Sequence, residues 1–138
     1  MNKLMGVLLW VGLGVPFGPL NAAELVYFGS AACPICDTWE HEVGEIYPKT
    51  DESKVLPLRH HDVHDDRPDD LAFIKGVVFT PTFVAIEEGR EVGRIIGYMG
   101  DFFFWEQVGG LIKKLKASQA QRQTACSQIG TESSAAQC

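Results

Sequence analysis

Residues 30–39 read SAACPICDTW, which places Cys33 and Cys36 three positions apart. They follow residues 25–28, a continuous apolar run of strand-forming residues that is typical of a central strand buried on both faces. Over residues 34–47 the apolar side chains recur every three or four positions, which predicts a helix with one core-facing stripe. The two cysteines therefore stand where a strand passes into a helix.

The start of this helix suits thiol chemistry. Pro34 fits the first helical position, where no backbone N–H is needed, so we expect Cys33 to cap the helix. The amides of Ile35 and Cys36 then point at the Cys33 sulfur, and with the helix dipole they stabilise a thiolate. Cysteines in such motifs have pKa values of roughly 3.5 to 7.5, against about 8.5 for a free thiol. We predict that Cys33 is the nucleophile and that Cys36, one turn later, resolves the mixed disulfide.

Two other interpretations of the cysteine pair have less support. A structural disulfide across two residues removes little chain entropy and so stabilises little. A zinc site needs two further ligands at compatible spacing, and the nearby candidates His60, His61 and His64 lie in or after the second predicted strand. We therefore predict no metal here, since a strand followed by this motif at a helix start favours redox exchange.

The rest of the chain predicts three more strands and two more helices. After a polar loop at 49–53, residues 54–63 indicate a strand that Pro57 interrupts, which favours a sheet edge. A short helix over 71–75 precedes two strands, 79–86 and 91–96, that surround a glycine turn and form a hairpin. The last helix begins at Asp101 and carries an apolar stripe of Trp105, Val108, Leu111, Ile112 and Leu115.

This order of elements predicts an α/β domain. A right-handed crossover makes the first two strands parallel, and the hairpin adds two antiparallel strands. The expected architecture is a mixed four-stranded sheet, built from a βαβ unit plus a β-hairpin and flanked by helices. We place this domain at residues 24–117.

The two ends of the chain differ from the domain. Residues 1–23 combine a positive start, an apolar stretch shorter than the roughly 20 residues of a membrane span, and small residues before a cleavage point. This predicts a secretory signal peptide that is removed on export. Residues 118–138 are rich in Ser, Gln, Ala and Thr, which predicts a flexible tail. The tail holds Cys126 and Cys138, which by default we expect to pair with each other.

Charge and export limit the classes of function. The chain has 12 basic and 18 acidic residues and a net charge of −6, without an extended cluster of Lys or Arg, which argues against a nucleic-acid partner. Export places all four cysteines in an oxidising compartment where disulfides persist. With four cysteines three full pairings exist, and the sequence alone does not choose among them.

The segment Thr80-Pro81-Thr82 opens the predicted hairpin. A cis Thr80–Pro81 bond would leave the Thr80 backbone free to pair with an extended segment of a partner beside the cysteines. An ordinary trans proline at a strand start is the alternative, and trans is far commoner for such bonds. We expect Thr80 and Pro81 to form a substrate-binding loop.

Two further clusters have simpler interpretations. Alternation along a strand sends His60 and Asp62 to one face and His61 to the other, so these groups indicate a solvated strand end rather than an ion site. The run FFFW at 102–105 exceeds what one helix face needs. Burial accounts for two of the four rings, and helix spacing favours core packing over an exposed partner-binding patch for the remainder.

Together these features resemble the thioredoxin superfamily. The resemblance is carried by the CPIC motif after a strand, by Thr80-Pro81-Thr82, and by glycine turns at Gly89 and Gly97 before the last helix. It covers about residues 24–116. It implies a minimal thioredoxin-like fold in which a cis proline lies against the active-site disulfide, with Pro34, Ile35 and Trp39 around it.

More narrowly, segments within 39–50, 80–84 and 89–105 resemble the small periplasmic thioredoxins of the bacterial sulfur-oxidation (Sox) system. This implies a periplasmic thiol-disulfide oxidoreductase that reduces a disulfide on a Sox enzyme or its thiol-bearing carrier protein. Electrons would arrive through a membrane thiol transporter, and no cofactor is implied beyond the Cys33–Cys36 disulfide itself.

The chain departs from the thioredoxin pattern at Tyr27, which stands where typical thioredoxins carry a buried aspartate. Glu24, water or another route must then accept the proton. The direction of electron flow also stays open, because no sequence feature fixes the reduction potential. A thiol oxidant or isomerase is the alternative enzyme, and a metal-binding module holding Cu(I) between Cys33 and Cys36 is the alternative outside enzymology.

Overall fold

The structure, a computed structural model, describes residues 23–129 of the 138-residue chain. The elements, in chain order, are β1 Glu24–Gly29, α1 Pro34–Trp39, a π turn Glu40–Gly44, a 3₁₀ turn Tyr47–Lys49, α2 Asp51–Val55, β2 Leu58–Asp62, a second 3₁₀ turn Asp69–Leu71, β3 Thr82–Glu87, β4 Arg90–Ile96 and α3 Asp101–Ile129. None of the helices within this described part has the length and apolar character needed to cross a membrane.

The four strands form one sheet in the order β2-β1-β3-β4. β1 pairs with β2 in parallel and with β3 in antiparallel, and β3 and β4 form the hairpin. This confirms the predicted βαβ unit plus β-hairpin. β2 lies at the edge, as the proline in its sequence indicates, although Pro57 comes directly before the strand rather than within it.

The central position of β1 explains its uninterrupted apolar sequence, because alternate side chains of a strand point to opposite faces. Leu25 and Tyr27 belong to the larger core cluster, which α1 and α3 cover, whereas Val26 and Phe28 belong to a second cluster on the other face. The second cluster also contains Leu71, Ile74, Val84 and Ile86. The core therefore has one layer on each side of the sheet.

The segment between α1 and β2 differs from the prediction of one helix and a polar loop. The α-helix ends at Trp39 and passes into a π turn, and residues 51–55 form a further short helix. Thr50 caps that helix, since its Oγ1 accepts a hydrogen bond from the Ser53 N–H at 3.3 Å. The predicted helix over 71–75 is also wrong, because the regular turn there is Asp69–Leu71.

The last helix is longer than predicted. α3 continues to Ile129, so the expectation of a flexible tail is wrong for residues 118–129. Glu87 at the end of β3 is buried and pairs with Arg122, and the Gln119 Nε2 donates to Glu87 Oε1 at 2.5 Å. Ala, Gln and Arg are also good helix formers. Local propensity and a buried polar anchor together extend the helix beyond its apolar stripe.

Several predictions fall on residues outside the described part of the chain. The predicted signal peptide, residues 1–23, lies outside the described residues except for Ala23. The predicted pairing of Cys126 involves Cys138, which also lies outside the described residues. Both therefore stay predictions.

Candidate active site around Cys33 and Cys36

Cys33 and Cys36 lie where β1 ends and α1 begins. Cys33 is the N-cap of α1, with extended backbone angles, and Pro34 occupies the first turn of the helix. The Cys36 N–H donates to the Cys33 sulfur at 3.2 Å. Of the two expected amide donors, Cys36 reaches the sulfur and Ile35 does not. The cysteines form a disulfide, with their Cα atoms 5.2 Å apart.

The two sulfur-bearing residues differ in their access to solvent. Cys33 is 8% exposed and Cys36 is 2% exposed, while Ile35 between them is 41% exposed. A partner approaching from solvent therefore reaches Cys33 before Cys36. This difference favours Cys33 as the attacking sulfur and Cys36 as the inner, resolving one.

The loop before β3 lies directly against Cys33. The Thr80–Pro81 peptide bond is cis. The Thr80 carbonyl oxygen lies 3.5 Å from the Cys33 sulfur, and β3 begins only at Thr82. The Pro81 carbonyl accepts the Gly97 N–H at 2.7 Å and is thereby used within the fold. The backbone of Thr80, which precedes β3, therefore lies next to the reactive sulfur of Cys33.

A cleft of about 260 Å³ opens beside Cys36, on the α1 face of the sheet. Tyr27, Cys36, Glu40 and His60 line it, together with Asp37 and Asp62. The His60 Nε2 lies 3.1 Å from Glu40 Oε1. The sequence interpretation missed this cleft. The only signals were the position of Glu40 four residues after Cys36 and the alternation that separates His60 from His61.

Trp39 and Tyr27 form the wall between this cleft and the core. Trp39 is fully buried, and its ring stacks on Tyr27 with centroids 4.8 Å apart. Burial raises the pKa of Tyr27 to about 12, and the Glu40 carboxylate adds to the effect. Tyr27 therefore keeps its proton at neutral pH and cannot act as the base that its position suggests.

Glu24, named as a proton acceptor from the sequence, is wrongly placed for that role. It is the first residue of β1, whereas the cysteines follow the last, so five residues of strand, roughly 16 Å, separate them. Its Oε1 accepts a hydrogen bond from Arg59 Nη1 at 3.1 Å. Glu24 is thus part of an ion pair at the other end of the strand.

The histidines lie where alternation along the strand sends them. His60 contacts Tyr27 and His61 contacts Phe28, on opposite faces of the sheet. Within residues 23–129 no group of three or more His, Cys, Asp or Glu side chains is arranged to hold a metal ion. In the aromatic run, Phe104 is buried and Trp105 is partly buried. Phe102 and Phe103 are exposed, so the expectation that the remaining two rings also pack in the core is wrong.

Three buried tyrosines should make the fold less stable at high pH. Burial raises the pKa of Tyr27, Tyr47 and Tyr98 above the ordinary 10.0. Because the unfolded chain loses these protons near pH 10 while the folded chain keeps them, the stabilisation is complete below about pH 10 and is lost as the pH rises toward 12. We expect the urea concentration at the unfolding midpoint to decrease as the pH rises from about 9 to 11. The decrease should be smaller in Tyr27→Phe. A flat profile in that range would contradict the buried hydroxyls.

Comparison with known proteins finds similar solved structures. The crystal structure of the reduced periplasmic thioredoxin SoxS from Paracoccus pantotrophus aligns at 36% sequence identity with a TM-score of 0.63, covering 67% of this chain and 98% of that chain. A thioredoxin from Trypanosoma brucei brucei aligns at 19% identity with a TM-score of 0.42, covering 71% of this chain and 75% of that chain. No family model and no curated protein sequence matches the chain.

The likeness to the Paracoccus protein extends over nearly its whole length. In this chain, a four-stranded sheet positions a cysteine pair at disulfide distance. Such a pair on a helix start exchanges a disulfide with thiols of a partner protein. The chain therefore belongs to the thioredoxin superfamily and is a thiol-disulfide oxidoreductase.

Proposed function

We propose that the mature protein works in the periplasm, where it reduces a disulfide on a partner protein of sulfur oxidation. The observation that carries this proposal is the Cys33 sulfur itself, which lies 3.2 Å from the Cys36 amide nitrogen and 3.5 Å from the Thr80 carbonyl oxygen. The similarity to a protein named as a periplasmic thioredoxin supports the compartment.

In the reduced protein, the Cys33 thiolate attacks one sulfur of the partner's disulfide. A Cys33–partner disulfide forms, and the partner's other sulfur leaves as a thiolate that takes up a proton. Cys36 then attacks the Cys33 sulfur, which restores the Cys33–Cys36 disulfide and releases the second partner thiol. Two electrons have passed to the partner, and the protein is left in the disulfide form that the structure contains.

The partner binds as an extended segment along the loop before β3. Thr80 offers backbone groups that precede the strand pairing, and these can pair with a partner backbone as an added strand would. The exposed side chains of Phe79, next to Thr80, and of Ile35, between the two cysteines, provide apolar contact area. Pro81, which is buried, fixes the path of the loop.

The redox group in this proposal is the protein's own disulfide, without a bound cofactor. A membrane thiol transporter returns two electrons to the pair after each turnover. Export is assigned to the signal peptide at residues 1–23, most of which lies outside the described residues.

The experiment is partner capture in a sulfur-oxidising bacterium. The Cys36→Ser protein, expressed with its own leader and an affinity tag, is expected to retain a periplasmic sulfur-oxidation protein through a disulfide that dithiothreitol breaks. The matched control carries Cys33→Ser as well and should capture nothing. Thiol trapping of the wild-type protein should find it mainly reduced, and oxidised once the transporter is removed. A mainly oxidised native pool would assign an oxidant instead of a reductant.

A further inference from the structure

In the resolving step the Cys36 thiol must lose its proton, and the cysteine pair alone offers no group that accepts it. Cys36 attacks only as a thiolate, and its thiol is 2% exposed, so its proton needs a path out of the core. The cleft beside Cys36 is such a path, since Cys36 lines its inner wall. A volume of about 260 Å³ is large enough for water to enter.

Five titratable side chains besides Cys36 and His61 line the cleft: Tyr27 from β1, Asp37 and Glu40 from the α1 segment, and His60 and Asp62 from β2. Tyr27 keeps its own proton, as its raised pKa requires. Asp62 accepts the His64 N–H at 2.9 Å within a turn, and Asp37 is exposed in the first turn of α1. Glu40 and His60 are the two that contact each other.

Two features hold His60 in place. Its ring meets the ring of Tyr27 edge to face, with centroids 5.1 Å apart, and its Nε2 lies 3.1 Å from Glu40 Oε1. The parallel register of β1 and β2 sets Tyr27 directly opposite His60. The imidazole therefore has contacts on two sides that orient it, while its side chain is 54% exposed at the mouth of the cleft.

The local backbone makes room for these groups. Glu40 is the first residue of the π turn, a departure from α-helix that is frequent at functional sites. A Cβ atom at Gly44 would collide with the Glu40 carboxylate, and a Cβ atom at Gly29 would collide with the Tyr27 hydroxyl. Both glycines therefore permit the arrangement of side chains around the cleft.

We propose that His60, oriented by Glu40, accepts the Cys36 proton through the cleft during the resolving step. The Cys36 S–H bond breaks, and the proton passes through cleft water to the imidazole, whose charge the Glu40 carboxylate then balances. The Cys36 thiolate bonds to the Cys33 sulfur as the Cys33–partner bond breaks, and the departing partner thiolate takes a proton from the imidazolium or from solvent. Histidine changes charge between roughly pH 5 and 8, which suits this transfer.

This inference rests on the assignment of Cys36 as the resolving thiol, and its test needs no physiological partner. The reduced protein, with Cys126 and Cys138 replaced by serine so that only Cys33 and Cys36 can react, is mixed in a stopped-flow instrument with DTNB, an aromatic disulfide that releases a coloured thiolate. The first release reports attack by Cys33, and the second reports displacement by Cys36. Partner capture can thus fail while both phases persist, and a wild-type protein without a second phase would refute the role of Cys36 rather than that of His60.

His60→Gln is expected to slow the second phase at pH 7 on the order of 10- to 100-fold, at or below the low end of what a positioned proton acceptor contributes. The loss should shrink as the pH rises above about 9, because hydroxide then competes with the imidazole as the proton acceptor. Added imidazole should restore part of the rate. The first phase should stay unchanged, which also shows that the variant is folded. Glu40→Gln should slow the second phase less, because the imidazole remains and only the carboxylate that orients it is lost.

His64→Gln is the matched control, because His64 is an exposed residue just after β2 and is not among the residues that line the cleft. Its second phase should equal that of the wild type at every pH. The proposal is overturned if His60→Gln matches the wild type, if its loss is the same at all pH values, or if His64→Gln loses as much. Glu40→Gln provides an independent test should His60→Gln fail to fold.

Discussion

The Cys33→Ser protein is expected to reduce protein disulfides no faster than buffer does, because a serine hydroxyl neither ionises at neutral pH nor exchanges with a disulfide. Cys36→Ser should also fail to turn over, but for another reason: it completes the attack and then stalls as a mixed disulfide. Insulin reduction measures the loss in both variants. Mass spectrometry after one addition of an oxidised peptide should find an adduct on Cys36→Ser alone.

The two roles can be separated from a general loss of reactivity by alkylation. In the reduced protein, iodoacetamide should modify Cys33 with a rate that reaches its plateau at a lower pH than that of a free thiol, since helix-start thiols of this kind have pKa values of roughly 3.5 to 7.5 against about 8.5. Cys36 should react far more slowly, because it is the more deeply buried of the two. If Cys33→Ser forms the adduct and Cys36→Ser does not, the assignment of attacking and resolving thiols is reversed.

Local patterns were sufficient to predict the elements that place Cys33. The apolar run in β1, the proline at the helix start and the glycine turn of the hairpin each act within a few residues of chain, and each appears in the structure where it was expected. The parallel pairing of β1 and β2 follows from connection handedness. Those features predict the parallel pair, the hairpin and the position of the cysteines without knowledge of any long-range contact.

Contacts between distant segments were not predictable in the same way. The cleft beside Cys36 exists because Tyr27 lies opposite His60 and because the helix changes to a π turn at Glu40, and neither register nor π turn has a sequence signal. The extension of α3 was missed for a similar reason. Residues 118–129 lack an apolar stripe, and the buried Glu87 that Arg122 and Gln119 bind lies on a strand more than thirty residues earlier.

Trp39→Ala is expected to have the largest effect on stability of any substitution outside the cysteines. Trp39 is fully buried, and its ring lies 4.8 Å from Tyr27, 4.8 Å from Phe83 and 5.7 Å from Phe104, measured between centroids. Removing a buried aromatic ring costs about 3–5 kcal/mol. Because a domain of this size is stable by about 5–15 kcal/mol, the oxidised variant should unfold at a much lower urea concentration.

Two milder variants test how much of this effect comes from packing of the Trp39 ring. Among the described residues, Trp39 Nε1 has no hydrogen-bond partner, so Trp39→Phe sacrifices volume alone and should cost about 1–2 kcal/mol. Trp105→Ala removes a ring that is only partly buried and stacks mainly on Tyr47, and it should cost less than Trp39→Ala. If Trp39→Ala and Trp105→Ala unfold at the same urea concentration, the buried Trp39 ring contributes no more to stability than the partly buried Trp105 ring. The same midpoint for Trp39→Phe and Trp39→Ala would instead mean that the benzene ring retained in phenylalanine contributes nothing against Phe83 and Phe104.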